Sequence, residues 1–90
     1  MKILKIGAVW CSGCLVMRPR WQKIEKQIPG LDTEYFEYDE RKDIAEKYNI
    51  ENTKLPVFIF IDKEGKELER VTGEVAEKTL IDLINKYRNL

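Results

Sequence analysis

The sequence predicts an α/β domain over residues 1–90, with elements in the order β-α-β-α-β-β-α. Three observations carry that prediction. Apolar or aromatic runs of strand length lie at residues 2–9, 33–39 and 55–61. Apolar side chains recur at helical spacing from Met17 to Ile28 and from Ala76 to Tyr87. A short polar turn, Asp62-Lys63-Glu64-Gly65, separates the most apolar run from a weakly alternating one.

Residues 2–9 are apolar on both faces apart from Lys5, as in a central strand covered on two sides. A helix is expected over residues 12–29, where Met17, Trp21, Ile24 and Ile28 form one stripe and most of the charges fall off it. Pro19 lies inside that pattern and predicts a kink, and Pro29-Gly30 stops the helix. Residues 33–39, with Tyr35, Phe36 and Tyr38, read as a second strand. Reached through a helical crossover, it is expected to run parallel to the first. Asp39 or Glu40 is positioned to cap a short helix over about 41–49, with Ile44, Ala45 and Tyr48 inward. After a loop over residues 49–54, Leu55-Pro56-Val57-Phe58-Ile59-Phe60-Ile61 is a buried strand. Gly65 suits a turn that needs positive φ, so a hairpin leads into an edge strand over residues 66–72. Gly73 ends that strand, and Ala76, Leu80, Leu83, Ile84 and Tyr87 mark the last amphipathic helix.

Composition narrows the function classes. The chain is 43% hydrophobic and 36% charged, in the range of folded globular proteins. Sixteen basic residues balance sixteen acidic ones, which gives no electrostatic reason to expect nucleic acid or an anionic membrane. No run is long enough to span a bilayer. The N-terminal apolar run is short, is broken by Lys5 and leads straight to the cysteines, unlike a secretory signal. A cytoplasmic, reducing location is the expectation.

Chemistry concentrates in Trp10-Cys11-Ser12-Gly13-Cys14, which holds both cysteines and opens the first helix. A bridge closing so short a loop restricts the unfolded chain very little, so a structural disulfide is a weak reading. In a reducing compartment, C-x-x-C beside a βα unit reads as redox chemistry. The plainer alternative is an inert pair of small core residues.

Four features in order make the chain resemble the thioredoxin superfamily over nearly its whole length: a strand running into Trp10-Cys11-Ser12-Gly13-Cys14, Pro19 five residues after Cys14, Leu55-Pro56 opening the third strand, and Gly73 between the last strand and the last helix. The strand and helix that precede the motif in full-length thioredoxins are missing, as in the minimal, glutaredoxin-sized form. The resemblance implies a four-stranded mixed sheet with helices on both faces, two on one and one on the other. The first strand would be central, the second parallel on one side and the hairpin on the other.

The resemblance further implies a disulfide reductase that needs no cofactor and no metal beyond its own dithiol. Cys11, at the helix N-terminus, would have its thiolate favoured by free N–H groups and the helix dipole, and so would attack. Cys14, one turn on and less exposed, would resolve the mixed disulfide. Ser12 can offer a hydroxyl to Cys11, and Gly13 should loosen the first turn. With no histidine between the cysteines, or anywhere in the chain, a reductant is expected. Trp10 is either a substrate platform or ordinary core. Pro56 either ends a loop or forms a cis bond that packs against the dithiol and hinders metal capture; the Leu55 backbone would then pair with an extended substrate. Gly73 is either a turn residue or the place where substrate backbone approaches from the other side.

Lys5 departs from the family, which carries a buried aspartate six residues before the attacking cysteine. A buried lysine needs a partner. Partial exposure, or pairing with Glu37 or another carboxylate on the neighbouring strand, is the expected solution, with an electrostatic effect on the thiolates as the functional reading.

The expected partners are disulfide-containing proteins and an electron-donating reductase or low-molecular-weight thiol, with the chain acting as a monomer. One rival is a glutathione-dependent glutaredoxin; it usually has Cys-Pro-Tyr-Cys and a Gly-Gly pair where this chain has Thr72-Gly73-Glu74. Another class is a metal- or cluster-binding or scaffold module. Two cysteines without histidine cannot close a four-ligand zinc site in one chain, though a dimer supplies four thiolates.

Overall fold

A computed structural model describes residues 1–90. The elements are β1 (Lys2–Gly7), α1 (Ser12–Gln27), β2 (Thr33–Glu37), α2 (Lys42–Lys47), a 3₁₀ turn (Asn52–Lys54), β3 (Val57–Ile61), β4 (Glu67–Thr72) and α3 (Glu77–Tyr87). The strands form one mixed sheet in the order β2-β1-β3-β4. β1 is parallel to β2 and antiparallel to β3, and β3 is antiparallel to β4.

Strand alternation sends β1 and β3 side chains to two cores. Ile3, Phe58 and Phe60 pack with Met17, Trp21 and Ile24 of α1 and with Leu80 and Ile84 of α3. Leu4, Ile6, Val57, Ile59 and Ile61 pack on the other face with Phe36, Ala45 and Ile50. Two helices therefore cover one face and α2 the other. Every residue of β3 is buried, as its unbroken apolar run requires. Trp21 meets Phe58 edge-on, with ring centroids 5.2 Å apart, an arrangement that adds about 1 kcal/mol beyond burial.

The β3–β4 turn shows why Asp62 and Gly65 stand where they do. The Asp62 carboxylate accepts the N–H groups of Glu64 and Lys66, each at 2.9 Å, and Gly65 takes φ +84°.

Element ends differ from the expected ones, for local reasons. β1 stops at Gly7 rather than residue 9, because the chain turns away from the sheet before α1 and leaves Val9 and Trp10 exposed. β2 ends at Glu37, because β1 ends opposite it at Gly7, whose carbonyl takes the Tyr38 N–H as the last rung of the ladder, and the Glu37 carbonyl turns back to the Glu40 and Arg41 N–H groups. β3 starts at Val57, past the Pro56 ring. α1 stops at Gln27, with Ile28 as its C-cap. Neither Asp39 nor Glu40 caps α2. Its N-cap is Arg41, which makes no side-chain capping bond, and Asn49 leaves the helix end at φ +52°.

Candidate active site

β1 points its C-terminal end at the N-terminus of α1. Between them, Ala8-Val9-Trp10 turns the chain, and the Cys11 N–H closes the turn on the Ala8 carbonyl at 3.1 Å. Cys11 is the N-cap of α1 in extended conformation, and its Sγ accepts the Cys14 N–H at 3.3 Å. A sulfur at this position occupies the place usually held by a capping oxygen, where unpaired N–H groups and the positive end of the helix favour negative charge. Ser12 is exposed and makes no hydrogen bond to Cys11; the backbone takes the role expected of its hydroxyl.

Both thiols are free. The expectation that Cys14 is the less exposed fails: Cys11 is 7% and Cys14 9% exposed, because both thiols are buried in one cluster with Ala8, against which Tyr38 and Leu55 pack. Burial pushes the Cys14 thiol up to about 12, helped by its hydrogen bond with Cys11.

The Leu55–Pro56 bond is cis, and Pro56 packs against the dithiol turn. A Cβ on Gly13 would stand 3.2 Å from Pro56 Cδ. Gly13 is therefore a site of close approach between α1 and Pro56. The Pro56 carbonyl accepts the Gly73 N–H at 2.8 Å, so Gly73, at φ +79°, is tied to the far side of the same groove. Leu55 makes no backbone hydrogen bond through either its N–H or its C=O. Met17 and Arg20 of α1 hold the segment after Gly73: Arg20 donates to the Val75 carbonyl at 2.6 Å and the Val75 N–H donates to Met17 Sδ at 3.4 Å.

Trp10 is 55% exposed and is not a core residue. Its indole N–H donates to Asp39 Oδ2 at 2.8 Å, and the preceding Val9 N–H donates to Glu37 Oε2 at 3.3 Å. Two carboxylates from the end of β2 thus hold the turn that delivers Cys11. Val9, Leu15 and Val16 are also exposed around it.

Lys5 is paired, with a different partner from the one expected. Its Nζ donates to Glu25 Oε2 at 2.6 Å, and Thr33 Oγ1 reaches the same oxygen at 3.2 Å. Lys5 points to the face covered by α1, where Glu25 is in reach, while Glu37 is taken by Val9 and Tyr35. The Lys5 side chain is partly exposed, at 16%, as expected; it is the partner that differs. A cavity of about 310 Å³ joins this pair to the active site, with Lys5 and Glu25 among its lining residues and Cys14, Gly7, Tyr35 and Pro56 among the others.

Geometry thus brings Cys11, Gly13, Cys14, Pro56 and Gly73 together and places Trp10 and Leu55 at the rim. Sequence reading missed Gly7, Tyr35, Asp39 and the partnership of Glu25. A Cβ on Gly7 would stand 3.0 Å from Cys14 Sγ and 3.2 Å from Tyr35 Oη. A glycine inside a strand is a recognised sign of such close approach, so Gly7 was detectable. The others depend on which turn of α1 faces which strand. No group of three or more His, Cys, Asp or Glu side chains converges as a metal site would require, and no helix is long and apolar enough to cross a membrane.

A sheet whose central strand presents a dithiol to a cis-proline defines a class, the dithiol proteins of the thioredoxin fold. Within it, a family model described as Thioredoxin matches residues 1–87, and the chain belongs to that family. It is 38% identical over 71 residues to an H-type thioredoxin of Oryza sativa subsp. indica, covering 79% of this chain and 56% of that protein. It is 31% identical over 83 residues to a thioredoxin of Mycoplasma genitalium, covering 92% of this chain and 78% of that one. The crystal structure of a thioredoxin from Nicotiana alata superposes with a TM-score of 0.84 at 28% identity, over 96% of this chain and 71% of that chain. The chain spans between half and two thirds of the length of the plant H-type relatives it matches.

Proposed function

We propose that this chain is a thiol–disulfide oxidoreductase that reduces protein disulfides through a Cys11/Cys14 cycle. The observation that carries the reading is Cys11 Sγ at the N-cap of α1, accepting the Cys14 N–H beside the cis Leu55–Pro56 bond. Negative charge on Cys11 Sγ is stabilised there, and Cys14 is close enough to follow.

Cys11 thiolate attacks one sulfur of a substrate disulfide. The S–S bond breaks, the other substrate sulfur leaves as a thiolate, and a mixed disulfide forms on Cys11. Cys14, losing its proton, then attacks Cys11 Sγ. The second substrate sulfur leaves, so the substrate has gained two electrons and the chain holds a Cys11–Cys14 disulfide. A reductase or a low-molecular-weight thiol returns the two electrons, and no other cofactor is needed. The free N–H and C=O of Leu55 suit strand-like pairing with an extended substrate segment, with Trp10 as an apolar platform on one side and Gly73 on the other. Such a cycle suits a reducing compartment such as the cytoplasm, with the chain acting as a monomer.

Insulin reduction tests the reading, coupled either to thioredoxin reductase or to glutathione with its reductase. Turnover with thioredoxin reductase, abolished by Cys11→Ser, is expected. Turnover with glutathione alone would make the chain functionally a glutaredoxin. Failure with both donors, in a folded chain whose two thiols are both counted by a thiol reagent after denaturation, would remove the enzymatic reading.

A further inference from the structure

Resolution of the mixed disulfide requires the Cys14 proton to go somewhere. Cys14 is buried, and burial opposes its ionisation. The structure offers two carboxylates in this region. Glu25 lies along the cavity but is committed to Lys5 and Thr33, and makes no hydrogen bond to the thiols or to Tyr35. Glu37 is different. Its Oε1 accepts the Tyr35 hydroxyl at 3.0 Å, and the Tyr35 hydroxyl stands over Gly7 beside Cys14 Sγ. Both the sulfur and the phenolic oxygen lie within 3.2 Å of the point where a Gly7 Cβ would be, which puts them within about 6 Å of each other. The missing Cβ is what allows them to share that space.

We propose that Tyr35 and Glu37 form a proton relay that deprotonates Cys14 as it resolves the mixed disulfide; the proposal rests on the oxidoreductase reading above. As Cys14 Sγ closes on Cys11 Sγ, the Cys14 proton passes through one water of the cavity that both residues line to Tyr35 Oη, and the Tyr35 proton passes to Glu37 Oε1. The Cys14–Cys11 bond forms, the Cys11–substrate bond breaks, and the substrate sulfur takes the electron pair. Glu37 ends as a carboxylic acid and returns its proton to solvent. Transfer is driven at the transition state, because a thiol becomes strongly acidic as its sulfur forms a new bond. In the mixed disulfide Cys11 has no thiol, so one of the causes that holds Cys14 protonated is gone.

Tyr35 is suited to pass a proton without ionising. Burial and the Glu37 carboxylate push its hydroxyl up to about 12, so it remains a donor throughout the working range. The other titratable or charged groups that face this relay are Cys11 and Arg18 from the α1 side and Lys5 of β1, the register partner of Tyr35, which is itself paired with Glu25.

A symmetric aromatic disulfide such as dithiobis(nitrobenzoate) separates the two steps. Attack by Cys11 releases one coloured thiolate, and resolution by Cys14 releases the second. Tyr35→Phe and Glu37→Gln are expected to leave the first release unchanged and to slow the second by about 100-fold near neutral pH, the lower end of what a positioned base contributes. Gln keeps an oxygen for the Val9 N–H and turns its amide NH2 to Tyr35 Oη, which can accept, so the turn that delivers Cys11 is still held while the final proton acceptor is lost; a merely structural Glu37 would show no slowing. The deficit is expected to shrink as pH rises and hydroxide takes over the base role, and Glu37→Asp is expected to restore part of the rate. The double variant should be no slower than the worse single one, as for groups that act in series. An unaltered second release in both single variants, or a slowing in Glu25→Gln instead, would overturn the relay. Absence of either release from the unaltered chain is a separate result, which would overturn the oxidoreductase reading and the relay with it.

Discussion

Gly13 and Pro56 are in such close approach that a single added carbon would have to displace one of them: a Cβ on Gly13 falls 3.2 Å from Pro56 Cδ. Pro56 is buried, and its carbonyl is tied to Gly73, so the ring has little room to yield. Gly13 also sits in the first turn of α1, where alanine would ordinarily add about 1 kcal/mol of helix stability. Gly13→Ala is therefore expected to show none of that gain in urea denaturation and to raise KM for a protein disulfide. A full gain with unchanged KM would mean that the two elements separate freely.

Lys5 and Glu25 form the best-protected ion pair in the chain. Removing one partner leaves the other without its counter-charge in a half-buried site, which typically costs about 1–3 kcal/mol. Lys5→Met is expected to lower stability by that order, and the double variant Lys5→Met/Glu25→Gln to recover much of it. A double-mutant cycle by urea denaturation measures the coupling. Additive losses would show that the pair contributes nothing as a pair.

Cys14 makes the stability of the reduced chain depend on alkaline pH. Its thiol is pushed from 9.0 to about 12 on folding, so between those values the folded chain holds a proton that the unfolded chain has lost. Stability is therefore fully present below about pH 9 and falls as pH rises toward 12. Tyr35, pushed from 10.0 to about 12, adds a slope of the same sign. Denaturation of the reduced chain across this range should show the decline, and Cys14→Ala should flatten it. An identical slope in Cys14→Ala would assign the whole effect to other groups.

Trp10 is held on the surface by a single hydrogen bond to Asp39. An exposed aromatic side chain contributes little to the core, so Trp10→Ala is expected to change unfolding free energy by less than about 1 kcal/mol. As a platform for substrate, its loss should instead raise KM for insulin about tenfold, with thiol reactivity toward a small disulfide unchanged. Equal losses on the small and the large substrate would place Trp10 in positioning Cys11.

Much of this protein was determined by local pattern alone. The buried run Leu55–Ile61, the helical stripe from Met17 to Ile28 and the Asp62–Gly65 turn dictate element type and order, because strand and helix periodicities and turn chemistry act over a few residues. Spacing placed two thiols near each other, and Leu55-Pro56 and Gly73 marked the groove through resemblance. Element ends were less legible: β2 stops at Glu37 because its ladder partner β1 stops at Gly7, a limit set by a distant segment that no local pattern contains. Tertiary structure alone decided that Lys5 meets Glu25 rather than Glu37, that Gly13 meets Pro56, and that Tyr35 and Cys14 share the space over Gly7. Each of those contacts joins elements far apart in the chain. Which side chains meet depends on the rotation of α1 over the sheet and on the β1–β2 register, and both are set by core packing rather than by any short stretch of residues.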